Sequence, residues 1–373
     1  MSRKSVDVVI IGAGVSGCSI AYHLSKAGVQ VCVLERAEIA AEASSAAAGL
    51  LAPGSVLTGP RAGAELFFAG WSITAETLAE IEALSGLQVE YQRTGALHLI
   101  ADENERLQLR EYAQYWQSHG QEDVQWLVHE ELRQHEPLLN ARITEALYVP
   151  HAASIRPRLV TEAYAQAARK LGAQIYEHTE VTGFQRQANK VIGVQTAQGE
   201  SITCSRVVIA AGAWSEQVGK WLDLSIPVAP ARGQILSLKQ PATPLKHTVF
   251  GNDLYLVPKQ DATIYIGATV EHVGFDKSNT AGGIAWLLSK AIQLMPELEH
   301  AVLANIWTGL RPWSRDAYPI LGNVPGWENV ILATGHGAGG FELSAITGRT
   351  ITELLVSGQT PALIQPFSIE RFV

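Results

Sequence analysis

Val6-Asp7-Val8-Val9-Ile10-Ile11-Gly12-Ala13-Gly14-Val15-Ser16-Gly17 is the stretch from which the rest of the chain is read. Its β-branched apolar half predicts a buried strand, and the glycines at Gly12, Gly14 and Gly17 follow at once. Beyond them Ile20, Leu24 and Ala27 recur at helical spacing, and Gly28 is placed to end that helix. A second apolar strand, Val29 to Leu34, closes on Glu35, 18 residues past Gly17. Strand, GxGxxG, helix, strand and acid in that order predict a βαβ unit that binds a dinucleotide. Gly12 permits the tight turn, Gly14 lets backbone approach a pyrophosphate, and Gly17 lets helix and strand pack closely. The helix N-terminus at Val15 and Ser16 faces the phosphates, and Glu35 is placed to accept hydrogen bonds from ribose hydroxyls. The competing reading is a Gly-rich turn with Glu35 a solvated charge.

The motif alone suits NAD or FAD, and an acid at the strand end disfavours NADP. Working outward, Ala41 to Ala52 is a run of small residues that carries hydroxyls at Ser44 and Ser45. Such a run lets backbone lie against a flat or extended ligand, which favours FAD, although a close helix contact would need the same residues. The strand-then-glycine pattern returns at Val207 to Trp214 and at Val330 to Phe341, so the nucleotide fold is expected to draw on both ends of the chain. After Gly340 a helical stretch through Leu343, Ile346, Ile351 and Leu355 stops at Gly358. Its N-terminus would favour the anionic N1 and C2=O edge of a reduced flavin.

The chain's 373 residues suffice for two domains, and 47% apolar content with 17% charged residues excludes disorder. A net charge of −8 offers no attraction to nucleic acid or to an anionic membrane. Cys18, Cys32 and Cys204 form neither a CxxC nor a Cys/His spacing, so no disulfide framework or metal site is expected and a reducing, cytoplasmic setting fits. His247, His272 and His300 lack ligand partners at metal spacing. Arg3 and Lys4 before an apolar run resemble a signal peptide, but Asp7 and the glycines interrupt it. No apolar run reaches the length of a membrane span. GxSxG, HExxH and GxxxxGK[ST] are absent from the sequence.

Nearly the whole sequence resembles the glycine oxidases of the thiamin-synthesis type, within the D-amino-acid oxidase and sarcosine oxidase group of FAD enzymes. The segments that carry the resemblance are GAGVSG, SSAAAGLLAP at Ser44 to Pro53, TGALHL at Thr94 to Leu99, EPLL at Glu136 to Leu139, LGAQIYEHTEV at Leu171 to Val181, VVIAAGAWS at Val207 to Ser215, DLYLVPK at Asp253 to Lys259, IGAT at Ile266 to Thr269 and TGLRPWSRDAYPILG at Thr308 to Gly322. The resemblance implies FAD contacts at Gly12, Gly14, Val15, Ser16, Gly17, Glu35, Arg36, Ala43, Ser44, Ala48, Gly49, Leu50 and Val181. It adds the stretch His336, Gly337, Ala338, Gly339 and Gly340. It also implies that Arg311 binds the substrate carboxylate and that Tyr255 adds a hydroxyl at the same end.

The residues speak to the same roles. Arg311 lies in a segment of low charge, and a planar fork of donors meets a carboxylate bidentately; a structural ion pair with Asp316 or another acid is the alternative. Tyr255 alternates with Leu254 and Leu256 on a presumed strand, where its ring could simply pack. The pattern departs from the family at Ala338, where glycine oxidases often carry arginine, so substrate choice is less constrained than cofactor choice. No cysteine near this segment could attach a flavin, so FAD is expected to be noncovalent. His336 reads as a residue positioned near the flavin rather than a base, and no general base is assigned.

The expected fold is α/β, an FAD-binding Rossmann-like domain with an interleaved α+β substrate domain built on an antiparallel sheet. The FAD-binding domain would comprise 1–85, 150–220 and 325–373, and the substrate domain 86–149 and 221–324. Helices are expected at Glu76 to Leu87, Glu103 to Ser118 and from Pro157 to Leu171, and a hairpin at Val191 to Thr196 with Ser201 to Ile209. Strands are expected at Ile235 to Leu238, Tyr255 to Val257 and Thr263 to Ala268. The expected reaction is oxidation of glycine, with sarcosine and small D-amino acids as further substrates and oxygen as acceptor. The resemblance also implies a homotetramer. A D-amino-acid dehydrogenase with another acceptor and a noncatalytic flavoprotein are the alternatives.

Overall fold

The computed structural model describes residues 4–52, 61–121 and 123–372; Arg3 and Pro53, used in the readings above, lie outside them. The first of two large sheets is built on the strand Lys4–Ile11. Its order is Ile320–Asn323, Val330–Thr334, Ser201–Ile209, Lys4–Ile11, Val31–Leu34 and Gln174–Tyr176. The last five run parallel. Such strands are covered on both faces, which explains the uninterrupted apolar run Val8 to Ile11 where an exposed strand would alternate. Val8 and Ile10 point into a core shared with the helices Val15–Lys26, Pro157–Lys170 and Ser344–Ser357. Val9 and Ile11 point to the opposite face, into a second core with Val207, Ile209 and Val330. Val191–Thr196 pairs antiparallel with Ser201–Ile209, as the expected hairpin required.

The second sheet runs in the order Leu303–Ser314, Val228–Lys239, Thr263–Gly267, Leu254–Pro258, Thr248–Gly251, Ala96–Leu99, Glu145–Val149 and Gln125–Val128. All its pairs are antiparallel except Thr248–Gly251 with Ala96–Leu99. The helix Ala281–Leu294 packs on one face through Leu287, Ala291 and Leu294. The expected helix at Glu76 is part of a longer one, Arg61–Ser85. Its first turns escaped the periodicity because small residues are demanded by close neighbours: a Cβ at Gly70 would come within 2.7 Å of the Glu342 carbonyl oxygen. Gly28, Gly172 and Gly358 take positive φ directly after their helices, as stop signals should. No helix among the described residues is long and apolar enough to cross a membrane.

Candidate active site

One cavity of about 670 Å3 joins the glycine loop of the first sheet to the floor of the second. Gly12 ends its strand at φ +104°, and a Cβ there would lie 2.5 Å from the Ala210 carbonyl oxygen. Gly14 caps the helix Val15–Lys26 with no side-chain bond of its own. Ser44 Oγ instead accepts from Val15 N at 2.9 Å, which brings the small-residue segment onto the helix N-terminus. Glu35 is oriented by two backbone donors, Ala13 N at 2.8 Å and Ala37 N at 2.9 Å. Arg36 lays its guanidinium 3.8 Å over the Trp214 ring. Gly12, Gly14, Val15, Ser16, Glu35, Arg36, Ala43, Ser44, Ala48, Gly49, Leu50, Val181, His336, Gly337, Ala338 and Gly340 all line the cavity.

Gly17 and Gly339 stand behind that lining. A Cβ at Gly17 would fall 2.0 Å from the Gly12 carbonyl oxygen, so its role is the close packing expected of the third glycine. The space beside Gly339 is taken by the Phe67 ring. Ser45 turns back to donate to Glu42 O at 3.1 Å, so Ser44 alone of the two serines reaches the cavity. Lys259, buried, holds the small-residue segment from outside: Nζ donates to Ala48 O at 2.6 Å and Ile155 O at 3.0 Å. Burial lowers its pKa to about 7. Backbone stripped of Cβ atoms at one end and a helix N-terminus at the phosphate position make a cradle that fits an extended dinucleotide.

The second sheet supplies the other end. Arg311 lies on Leu303–Ser314 opposite Ala231, and its guanidinium spreads over Gly233, where a Cβ would come within 2.3 Å of Nη1. Nη1 donates to Thr269 O at 3.0 Å. Asp316 is not its partner: Arg371 holds that carboxylate through Nε at 2.7 Å and Nη2 at 3.0 Å. Tyr255 lies over Gly267, where a Cβ would come 2.5 Å from the phenol oxygen. Burial pushes the Tyr255 phenol up, and the positive charge of nearby Arg311 pulls the other way. Arg311 and Tyr255 are therefore neighbours on a floor cleared by two glycines. Gly233 belongs to no motif and Gly267 only to the IGAT segment, and nothing local marks either glycine as making room for another strand's side chain.

Gly233→Ala is expected to displace the guanidinium. A shift of about 1 Å in a binding group costs on the order of 100-fold in efficiency. Titration of the flavin spectrum with substrate should show that loss while FAD stays bound.

Cross-strand partners extend the floor beyond Tyr255. Phe250 is opposite Tyr255, and His98 is opposite Phe250, with the two rings stacked at 4.6 Å and 8°. His98 and Phe250 line the cavity, as does Glu342 from the loop before the helix Ser344–Ser357. Burial lowers the His98 pKa to about 4 and does the same to His336, whose Nε2 meets Thr347 Oγ1 at 3.1 Å. Both rings are neutral near pH 7. Glu342, also buried, accepts from Ala52 N at 2.8 Å, and burial raises its carboxyl from 4.5 to about 7 despite that bond.

A carboxyl raised in this way binds more protons folded than unfolded between those two values, so its contribution is present below about pH 4.5 and is lost as pH rises through 7. Glu342→Gln should therefore be more stable than the parent above pH 7, by on the order of 3 kcal/mol. The difference should fade toward pH 4, as followed by urea unfolding of the holoenzyme across pH.

The description "FAD dependent oxidoreductase" belongs to the family model that matches residues 7–354. A glycine oxidase of Geobacillus kaustophilus is 32% identical over 98% of this chain and 97% of its own. Its crystal structure superimposes with a TM-score of 0.93, covering 100% of both chains. The bifunctional protein ThiO/ThiG of Trichormus variabilis is 34% identical over 98% of this chain, which spans about half (55%) of that protein's length. With a matching family model over most of its length and the cradle for the dinucleotide in place, the chain belongs to the FAD dependent oxidoreductase family.

Proposed function

We propose that this chain is a glycine oxidase that also takes sarcosine and small D-amino acids. The observation that carries the reading is the pairing of Arg311 and Tyr255 over Gly233 and Gly267, in the cavity that the dinucleotide loop also lines. Arg311 receives the substrate carboxylate through its fork, and the Tyr255 hydroxyl donates at the same end. With Thr269 O holding Nη1, the fork is set in place before substrate arrives. Gly12, Gly14, Ser44 and Glu35 would hold FAD, which would supply a hydride acceptor for the substrate carbon and an outlet for the two electrons to oxygen, giving hydrogen peroxide.

The residues' part is to bind and orient. Neutral His336 sits in the loop beside the cofactor cradle, tied to Thr347, and adds no charge there. No base is assigned, because the amine can shed its proton to water on binding. The resulting imine takes up water to release glyoxylate and ammonia, so glycine, water and oxygen give glyoxylate, ammonia and peroxide. In thiamin synthesis the imine would feed thiazole assembly.

Residues 1–85, 150–220 and 325–373 are read as the FAD-binding part, with 86–149 and 221–324 carrying substrate. The accompanying reading is a cytoplasmic homotetramer, which light scattering on the purified holoenzyme addresses. The function is tested by mixing holoenzyme anaerobically with glycine, sarcosine, D-alanine and D-proline. Bleaching of the flavin, with peroxide formed once air is admitted, is the expected result. Flavin that stays oxidised throughout points to a noncatalytic flavoprotein, and turnover with an artificial acceptor alone points to a dehydrogenase.

A further inference from the structure

We propose that Glu342 and His98 form a subsite for a cationic distal group on the substrate, so that amino acids with a second amine on the side chain are preferred over neutral ones of equal length. The inference deepens the reading of Arg311 and Tyr255 as a carboxylate clamp and rests on it.

The clamp fixes one end of the ligand, and strand register places the subsite at the other. Tyr255, Phe250 and His98 are successive directly opposed partners, so they share one face of the sheet. Two strand spacings put His98 about 10 Å from Tyr255 along that face. At this far end two polar atoms have no hydrogen-bond partner among the described residues. His98 Nε2 is buried without one. Glu342, only 5% exposed, uses Oε1 for Ala52 N, and its other oxygen has no bond among the described residues. Such groups are costly to bury unless a ligand completes them. Tyr112 ties the two together: its ring lies 5.6 Å from that of His98, and the Glu342 charge acts on its phenol.

The sign of the site decides the ligand. A carboxylate and a neutral imidazole nitrogen are acceptors, and they call for a donor carrying positive charge. Glu105 and Asp253 also line the cavity. Glu105 is tied to Ala101 N, and the exposed Asp253 has Lys290 at 3.6 Å. Among the described residues Arg36 and Arg311 are the only arginines that line the cavity and no lysine does, and both arginines belong to the other regions described. Ala338, in the same loop as Glu342, brings no charge. A bound ammonium would also relieve the burial that raises the Glu342 pKa.

The experiment compares lysine and ornithine, in both configurations, with norleucine, reading kcat/KM for flavin reduction in the holoenzyme. Wild type should favour the better lysine enantiomer over norleucine by about 10-fold or more. Glu342→Gln keeps an oxygen for Ala52 N but removes the charge, so the lysine-to-norleucine ratio should fall about 10-fold. Any loss common to both substrates cancels in that ratio. A purely structural Glu342 would leave the ratio unmoved and overturn the inference.

A second measurement needs no turnover: 6-aminohexanoate should perturb the wild-type flavin spectrum at about 10-fold lower concentration than hexanoate. Equal affinities overturn the subsite even when glycine is oxidised. A preference for 6-aminohexanoate in a protein that oxidises no amino acid would support the subsite and reject the oxidase reading. If Glu342→Gln cannot hold FAD, this wild-type comparison decides.

Discussion

Arg311→Ala is expected to lower kcat/KM for the proposed substrate glycine by roughly 10²- to 10⁴-fold, corresponding to about 3–5 kcal/mol for removing one partner of a buried, hydrogen-bonded charge pair. The loss follows from geometry. Arg311 has no carboxylate partner among the described residues, its Nη1 is braced by Thr269 O, and the glycine beneath it leaves the fork free to meet a ligand. Its strand belongs to the second sheet and pairs with Val228–Lys239, so the cradle for FAD should survive. The absorption spectrum of bound FAD is then unchanged, and the defect appears as a shifted substrate dependence of anaerobic flavin reduction. Arg311→Lys should recover only part of the loss, since a single ammonium keeps the charge without the bidentate fork. Unaltered reduction kinetics in Arg311→Ala would remove this residue from the site.

Gly12→Ala is the second large effect, and it falls on the cofactor. The added methyl would sit 2.5 Å from the Ala210 carbonyl oxygen, at a φ of +104° that L-residues rarely adopt. Ala210 cannot retreat easily, because its amide donates to Ile11 O at 3.0 Å in the adjoining strand. Overlap and strain together cost roughly 2–5 kcal/mol. The loop that must approach the pyrophosphate would absorb that cost. The protein should purify largely colourless and reconstitute with FAD on the order of 10²- to 10³-fold more weakly, as read from the ratio of flavin to protein absorbance. Gly14→Ala should also weaken FAD binding, because its methyl would press on Ser44 Oγ at 3.3 Å, the acceptor for Val15 N, and would stand where backbone must approach the pyrophosphate.

The dinucleotide cradle was readable residue by residue because its demands are local. A positive φ at Gly12, close packing at Gly17 and a helix stop at Gly28 each call for glycine at a set offset from an apolar strand. The two-faced burial of Val8 to Ile11 was written in their unbroken β-branched run. Legibility failed where a residue answers to a distant neighbour. The first turns of Arg61–Ser85 hid behind glycines that face Tyr318 and Glu342. The strand Leu303–Ser314 was noticed for Arg311, not for its pairing along Val228–Lys239.

Neighbours in the chain were enough to specify the nucleotide-binding loop, its flanking strands and the presence of an arginine suited to a carboxylate. Backbone sign, helical stops and apolar periodicity are properties of consecutive residues. Folding alone decided that Asp316 goes to Arg371, that Gly233 and Gly267 clear the floor for Arg311 and Tyr255, and that His98 and Glu342 meet the same cavity. Those relations depend on strand register and sheet order, which join residues 98, 250 and 255, and on the loop before Ser344–Ser357 that brings residue 342 to the same cavity; no local pattern encodes either.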